Sequence, residues 1–258
     1  MSDLASLLED AERRPLVGWD FSYDGRIASR APWDFEAIAD EEARRSPDLL
    51  DMGTGGGEWL SRRPFPKGRT VATEAWPPNV PVARARLAPL GVKVVAVEGA
   101  PDNADQAHAP SLPPLPFADG SFHLVTNRHE SFVASEVTRI LTPGGRFITQ
   151  QIASDFAEPM RELLKAPKLP PAPAWTLAEA RSQLERAGLE VLRVGDGAAE
   201  ASFADVGALA WYLLHVPWTM PDFSIPEYRE RLERLHATGP ITVRQPMFWL
   251  SAQRREES

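Results

Sequence analysis

LLDMGTGGGEWL, Leu49 to Leu60, is the stretch that decides the fold. Two leucines run into Asp51, glycines follow at 53, 55, 56 and 57, and the chain resumes with Glu58, Trp59 and Leu60. An apolar strand that ends in a carboxylate and a glycine-rich turn, with a helix to follow, brings bare backbone against a ligand. Glycine suits such a turn because a side chain would hold the backbone away and because these turns often demand positive φ. The register is D-x-G-x-G-x-G, with Asp51, Gly53, Gly55 and Gly57 in phase. The dinucleotide fingerprint G-x-G-x-x-G would need a glycine where Glu58 stands, and the Gly-Lys-Ser/Thr ending of a phosphate-binding P-loop is missing. A glycine loop beside an acid, without a phosphate partner, suits a ligand with a cationic or amino-acid end.

Outward from the loop, Arg69 to Glu74 (RTVATE) reads as a second strand ending in an acid. Glu74 follows Gly53 by about 20 residues, where doubly wound sheets place the carboxylate that accepts hydrogen bonds from ribose hydroxyls. Loop and acid together point to a nucleoside ligand. The first strand spans about 48–52, Val92 to Val97 (VKVVAV) is a third, and DGSFHLVTN leads into a fourth behind the proline-rich loop APSLPPLPF. Arg146 to Ile152 (RFITQQI) is the fifth, after a helix at Glu136 to Leu141 and a Thr-Pro-Gly-Gly turn. Helices are predicted at 3–14, 34–45, Pro78 to Leu90 and 176–188, the last stopped by Gly188. The aromatic stretch GWDFSYDGRIASRAPW reads as a loop, 166–174 as a linker, and strands six and seven fall near 189–194 and 241–251. Strands alternating with helices mean a parallel sheet covered on both faces, hence an α/β doubly wound fold.

Composition limits the function classes. The chain has 258 residues, 36 acidic and 28 basic side chains, a formal charge of −8 and no cysteine. A duplex-binding surface needs clustered Lys and Arg to displace counterions, so DNA is excluded and RNA disfavoured. The best basic cluster, Arg62, Arg63, Lys67 and Arg69, reads as a solvated turn. Without cysteine there are no disulfides, thiolate metal sites or cysteine nucleophiles, which fits a reducing cytosol. No metal site is expected. The N-terminus lacks a basic, apolar leader and no segment nears the ~20 apolar residues of a membrane span, so a cytoplasmic protein without membrane partner is expected.

Four motifs in sequence order carry a family resemblance: LLDMGTGGG, VATEA, LPFADGSFHLVTN and EVTRILTPGGRFITQQ. Over roughly 47–195, with strand seven beyond, the chain resembles the class I S-adenosylmethionine-dependent methyltransferases, in the type 11-like, small-molecule subgroup. The resemblance implies a Rossmann-like, seven-stranded sheet with the last strand antiparallel between strands five and six. It also implies S-adenosyl-L-methionine at the carboxyl ends of strands one to four. Residue by residue, Asp51, Gly53, Thr54, Gly55 and Gly57 hold the methionine end, Glu74 takes the ribose, and Ala75 and Trp76 line the adenine. Asp102 or Asn103 reads the adenine edge, and Asn127 lies under the sulfonium. The family commonly has Phe-Asp-Leu-Val at the start of strand four; this chain has His123 in place of the aspartate.

Methyl transfer needs alignment and exclusion of water more than covalent machinery. A hydroxyl acceptor also gains from a general base, and His129 in NRHES is the candidate catalytic residue, with Arg128 to grip an anionic acceptor and Glu130 beside them. His108, His215 and His236 are expected to be structural. Residues 1–46 are expected to form a helical, aromatic cap on a cofactor domain of 47–258, with 202–236 inserted between strands six and seven as a helical lid. From these parts Trp33 and Trp218 are expected to touch the acceptor, and Trp211, Tyr212, Phe223 and Tyr228 to roof it or pack as core. The expected activity is methylation of an O, N or carboxylate of a small molecule, with an RNA or protein acceptor as the alternative and a non-catalytic cofactor-binding module as the less favoured one.

Overall fold

Neighbouring residues of the central strands point to opposite faces of one sheet, as the period of two requires. Leu50, Val125 and Phe147 bury into one apolar layer, while Leu49, Leu124 and Ile148, each one residue away, bury into the other. Both faces are therefore covered, and the strands read as continuous apolar runs rather than alternating ones. The computed structural model describes residues 3–66, 68–106, 113–170 and 173–256; Lys67 and His108 lie outside them.

The strands are β1 (Ile27–Arg30), β2 (Leu49–Met52), β3 (Thr70–Glu74), β4 (Lys93–Ala96), β5 (Phe122–Arg128), β6 (Leu141–Ile152), β7 (Leu189–Phe203) and β8 (Ile241–Arg254). They form one eight-stranded sheet in the order β1-β7-β8-β6-β5-β2-β3-β4. β2 to β6 run parallel, and β8 lies antiparallel between β6 and β7. The expected doubly wound sheet with its last strand reversed is present. It gains an eighth strand: β1, in the aromatic stretch read as a loop, pairs antiparallel with the far end of β7. β7 is longer than the 189–194 of the sequence reading, and this extension supplies the edge on which β1 forms.

The helices are α1 (Leu4–Arg13), α2 (Phe35–Arg45), α3 (Asn79–Leu87), α4 (Ala134–Ile140), α5 (Glu158–Leu163), α6 (Leu177–Arg186), α7 (Val206–His215) and α8 (Ile225–His236). Most start on a side-chain cap: Asp34 accepts from the N–H of Ala37 at 2.9 Å, Thr176 from Glu179 at 3.3 Å, and Asp205 from Ala208 at 3.0 Å. Gly188, at φ +94°, ends the α6 segment as expected. Among the described residues of the linker read at 166–174 nothing helical occurs, but α5 just before it was not foreseen. Among the described residues no helix is long and apolar enough to cross a membrane.

A third core joins the N-terminal segment to the α7–α8 insertion. Tyr23 stacks on Trp211 at 4.6 Å between centroids, and the Trp211 indole N–H donates to the carbonyl of Arg14 at 2.8 Å. Arg26 pairs with Asp10 and Asp205, tying the loop before β1 to α1 and to the start of α7. Trp211 and Tyr228 are buried in this core, so they hold the two parts together and do not roof a ligand. Of the basic cluster after the glycine loop, Arg63 pairs with Glu36 and Asp40 of α2, so it is a packing residue and not a solvated turn.

Candidate functional site

At the carboxyl ends of β2, β3 and β5 a cavity of about 370 Å³ opens, lined by Gly53, Gly55, Glu74, Ala75, Arg128 and His129 from the expected set. Trp19, Trp76, Asn79, Gly99 and Glu130 complete its wall. This is the switch-point position of a doubly wound sheet, where β2 lies between β3 on one side and β5 on the other.

Gly53 and Gly55 have φ of +70° and +63°, so the turn does need glycine. Their bare faces meet protein side chains. A Cβ on Gly53 would lie 2.4 Å from Cγ of Glu130, and one on Gly55 would lie 2.7 Å from Cβ of Trp19. Gly57, at φ +80°, faces away from the cavity wall: its Cβ would meet Leu87 of α3 at 2.8 Å, so this glycine serves packing and not the ligand. Thr54 donates its N–H to the carbonyl of Thr73 at 2.9 Å, which fastens the loop to the end of β3.

Glu74 is buried and accepts from the N–H groups of Gly55 at 2.6 Å and Trp76 at 2.8 Å. Burial raises its carboxyl above the ordinary value, and these N–H groups offset part of the rise. Asp51 is more deeply enclosed. Its carboxyl is pushed up to about 6 by burial, against the hydroxyl of Thr126, which donates to it at 2.8 Å. Asp51 does not line the cavity; it underlies the loop.

Three residues expected at the cofactor lie elsewhere. Asn127 is fully buried, and its carbonyl oxygen accepts from Thr149 and Gln151, each at 2.7 Å. Asn103 accepts from the N–H of Phe132 at 3.0 Å and donates to Gln151 at 3.3 Å. Asp102 caps its own turn through the N–H of Ala104 at 2.8 Å. None of the three lines the cavity: Asn103 and the carbonyl oxygen of Asn127 are held by Phe132, Thr149 and Gln151, Asp102 caps its own turn, and Nδ2 of Asn127 is buried without a partner among the described residues. The glycine after β4 that does reach the cavity is Gly99. Its signal was the one that found Gly53, a glycine just past the end of a strand.

The ring of His129 has one fixed role. Trp33 donates its indole N–H to Oε1 of Gln150 at 2.9 Å, and indole can only donate. The amide nitrogen of Gln150 therefore faces Nε2 of His129, 3.1 Å away, and donates to it. The ring proton then sits on Nδ1, which has no hydrogen-bond partner among the described residues. Burial, and after it the charge of Arg128, pushes the imidazole pKa down to about 3. With its lone pair taken by Gln150 and its protonated form disfavoured, the ring has no free basic nitrogen; the expected general base is corrected on that ground. Trp33 is likewise corrected: it touches Gln150 and the core beside Phe35 and Trp59, not the cavity. The polar pair Gln150-Gln151 at the end of an apolar strand was the missed signal.

Trp218, also expected at the acceptor, does not itself line the cavity. It is 54% exposed and stacks on Trp19 at 6.3 Å with planes 7° apart, and Trp19 lines the cavity. Glu130 also lines the cavity, its carboxyl pushed up to about 7 by burial and by the charge of Glu74. The other histidines are structural as far as they are described. His215 accepts from the N–H of Leu16 at 3.2 Å, and its Nδ1 lies 2.9 Å from the carbonyl of Trp211; His236 closes the last turn of α8. His123, standing where the family has aspartate, meets Asp48 through both its backbone N–H (2.7 Å) and its ring (2.9 Å). The departure is local to the start of β5.

No protein-family model and no curated protein matches the chain. Solved structures do match it. A candidate methyltransferase of Bacillus halodurans is similar at TM-score 0.53 and 19% identity, over 86% of this chain and 99% of that one. A candidate sarcosine dimethylglycine methyltransferase of Galdieria sulphuraria is similar at 0.51 and 15%, over 87% and 86%. The [4+2]-cyclase SpnF is similar at 0.51 and 18%, over 98% and 93%. At such identities the likeness establishes a fold and not a reaction, since one fold hosts many chemistries. The strand order, the reversed last strand and these neighbours together give the chain the class I S-adenosylmethionine-dependent methyltransferase fold.

Proposed function

We propose that the protein binds S-adenosyl-L-methionine and transfers its methyl group to an oxygen, nitrogen or carboxylate of a small molecule. The observation that carries this reading is the cavity itself, where the glycine loop after β2 and the carboxylate ending β3 face one space. The residues present fit the cofactor. Gly53 and Gly55 bring backbone to the cavity wall, Glu74 keeps lone pairs beyond the two its N–H donors occupy, and Ala75, Trp76 and Gly99 offer a wall for a purine. The bound cofactor would supply a methyl group already activated on a sulfonium.

The chain's own part is to orient and to keep water out. Glu74 takes the ribose hydroxyls, and Asp51 holds the loop from beneath. Arg128 supplies donors at the cavity wall for an anionic group. Trp19 and Trp218 cover the mouth from the 1–46 cap and the 202–236 insertion, and residues 47–258 carry the cofactor. The formal charge of −8 and the carboxylates at the cavity favour a small molecule over RNA, and a cytoplasmic setting goes with that reading.

Calorimetry with S-adenosylmethionine is the test. Micromolar binding by wild type and its loss in Glu74→Ala and Asp51→Ala are expected; a wild type that does not bind defeats the reading. A panel of metabolites, RNA and proteins assayed for labelled methyl transfer then separates a small-molecule acceptor from a macromolecule. Binding without turnover on any acceptor would favour a non-methylating role for the fold, as the similarity to a [4+2]-cyclase illustrates.

A further inference from the structure

Glu130 differs from the other carboxylates around the cavity. Glu74 is tied to the N–H groups of Gly55 and Trp76, and Asp51 is sealed behind the loop against Thr126. Glu130 lines the cavity, yet its carboxylate makes no hydrogen bond or ion pair among the described residues. Its position is nonetheless fixed. Cβ and Cγ rest on Gly53 so closely that a Cβ on that glycine would lie 2.5 and 2.4 Å from them.

The charged and titratable groups that face it are few. Glu74 at the end of β3 repels it, and Asp51 lies below at the end of β2. His129 is neutral with its Nε2 taken by Gln150. Arg128 is the one cation in the cavity wall among the described residues, and no ion pair joins it to Glu130. Glu74 and Glu130 thus face one partly dry space, and the carboxylates that act on the Arg128 guanidinium are Glu36 and Asp51, not these two. Such a carboxylate is costly to ionise unless a ligand brings the missing positive charge.

We propose that Glu130 is the counter-ion for the cationic methionine end of the cofactor. The inference rests on the proposed cofactor and deepens it: Gly53 presents backbone to the methionine end, and Glu130 is seated on that same glycine. Binding a cation beside Glu130 favours its ionised form, so binding and loss of a proton are coupled. Between pH 5.5 and 7, below the range where the ligand's own amino group titrates, affinity rises with pH.

The experiment is calorimetry of wild type, Glu130→Gln and Glu130→Asp with S-adenosylmethionine across that range, in two buffers of different ionisation enthalpy. Wild type is expected to release protons on binding and to tighten as the pH rises. Glu130→Gln is expected to bind about tenfold more weakly at pH 7, the worth of one charge-assisted contact, and to release fewer protons. Glu130→Asp keeps most of the affinity. Asp51 titrates in the same range, so the difference between wild type and Glu130→Gln isolates Glu130. Wild-type binding with equal affinity in Glu130→Gln at every pH overturns the counter-ion and leaves the cofactor standing. Should Glu130→Gln not fold, zero proton release by wild type at pH 6.5 overturns it instead. No binding by wild type overturns the cofactor reading itself.

Discussion

Gln150 and His129 share a hydrogen bond whose direction is set by a third residue. The Trp33 indole fixes the Gln150 carboxamide, so the amide N–H points at Nε2 of His129, 3.1 Å away. A strand residue thereby decides the tautomer of a cavity residue, and a tryptophan outside the cavity decides the strand residue.

Nitrogen-15 NMR of the imidazole is expected to report a neutral ring protonated on Nδ1, persisting well below pH 6, since the pKa is pushed down to about 3. Trp33→Phe removes the donor that orients Gln150 and is expected to raise that pKa and mix the tautomers. A ring that titrates near 6.5 in wild type contradicts the arrangement.

Stability should carry the signature of Glu130. Its carboxyl stands at about 7 in the fold against 4.5 unperturbed, so the folded protein holds a proton that the unfolded chain has released. The corresponding stabilisation is complete below pH 4.5 and disappears as pH rises through 7. Without ligand, Glu130→Gln is expected to raise Tm at pH 8 and to change it little at pH 4.5, with about 2–4 °C for each kcal/mol recovered. Thermal unfolding at the two pH values checks it; an equal shift at both assigns the effect to packing.

Gly57→Ala is expected to destabilise by about 1–3 kcal/mol through left-handed backbone strain and overlap with the side chain of Leu87. In a Leu87→Ala background the overlap is gone, so the penalty of the second change shrinks by at least ~0.5 kcal/mol. Urea denaturation of the four proteins in the cycle measures it. Additive losses would mean that the backbone alone demands glycine at 57.

The aromatic residues of the insertion should divide by burial. Trp211 is 2% exposed and stacked on Tyr23, so Trp211→Ala is expected to cost about 3–5 kcal/mol. Trp218 is 54% exposed, and Trp218→Ala is expected to change stability by no more than about 0.5 kcal/mol. Its effect belongs in catalysis, as a raised KM for the acceptor with cofactor affinity held. Unchanged KM would remove Trp218 from the acceptor's path.

Much of the fold was legible because its signals are local. The apolar runs at 48–52, 92–97 and 146–152 and the glycines at 53, 55 and 188 each constrain the backbone where they stand. β1 was not legible. Ile27 is its one buried residue, so it has no apolar period, and it exists because β7 runs on to Phe203 and offers an edge.

By itself the sequence determined the doubly wound sheet and the meeting of Gly53, Gly55 and Glu74 at one end of it, while the reversed last strand was implied by the family resemblance. The alternation of strands with helices and a carboxylate at a strand's end follow from patterns only a few residues long. Tertiary structure alone decided what the polar side chains do. Asn103 and Asn127 turn to Gln151, His129 gives its lone pair to Gln150, and the Glu130 carboxylate is left at the cavity without a partner among the described residues. A buried polar group takes whichever partner the fold brings within about 3 Å, and that partner stands anywhere in the chain.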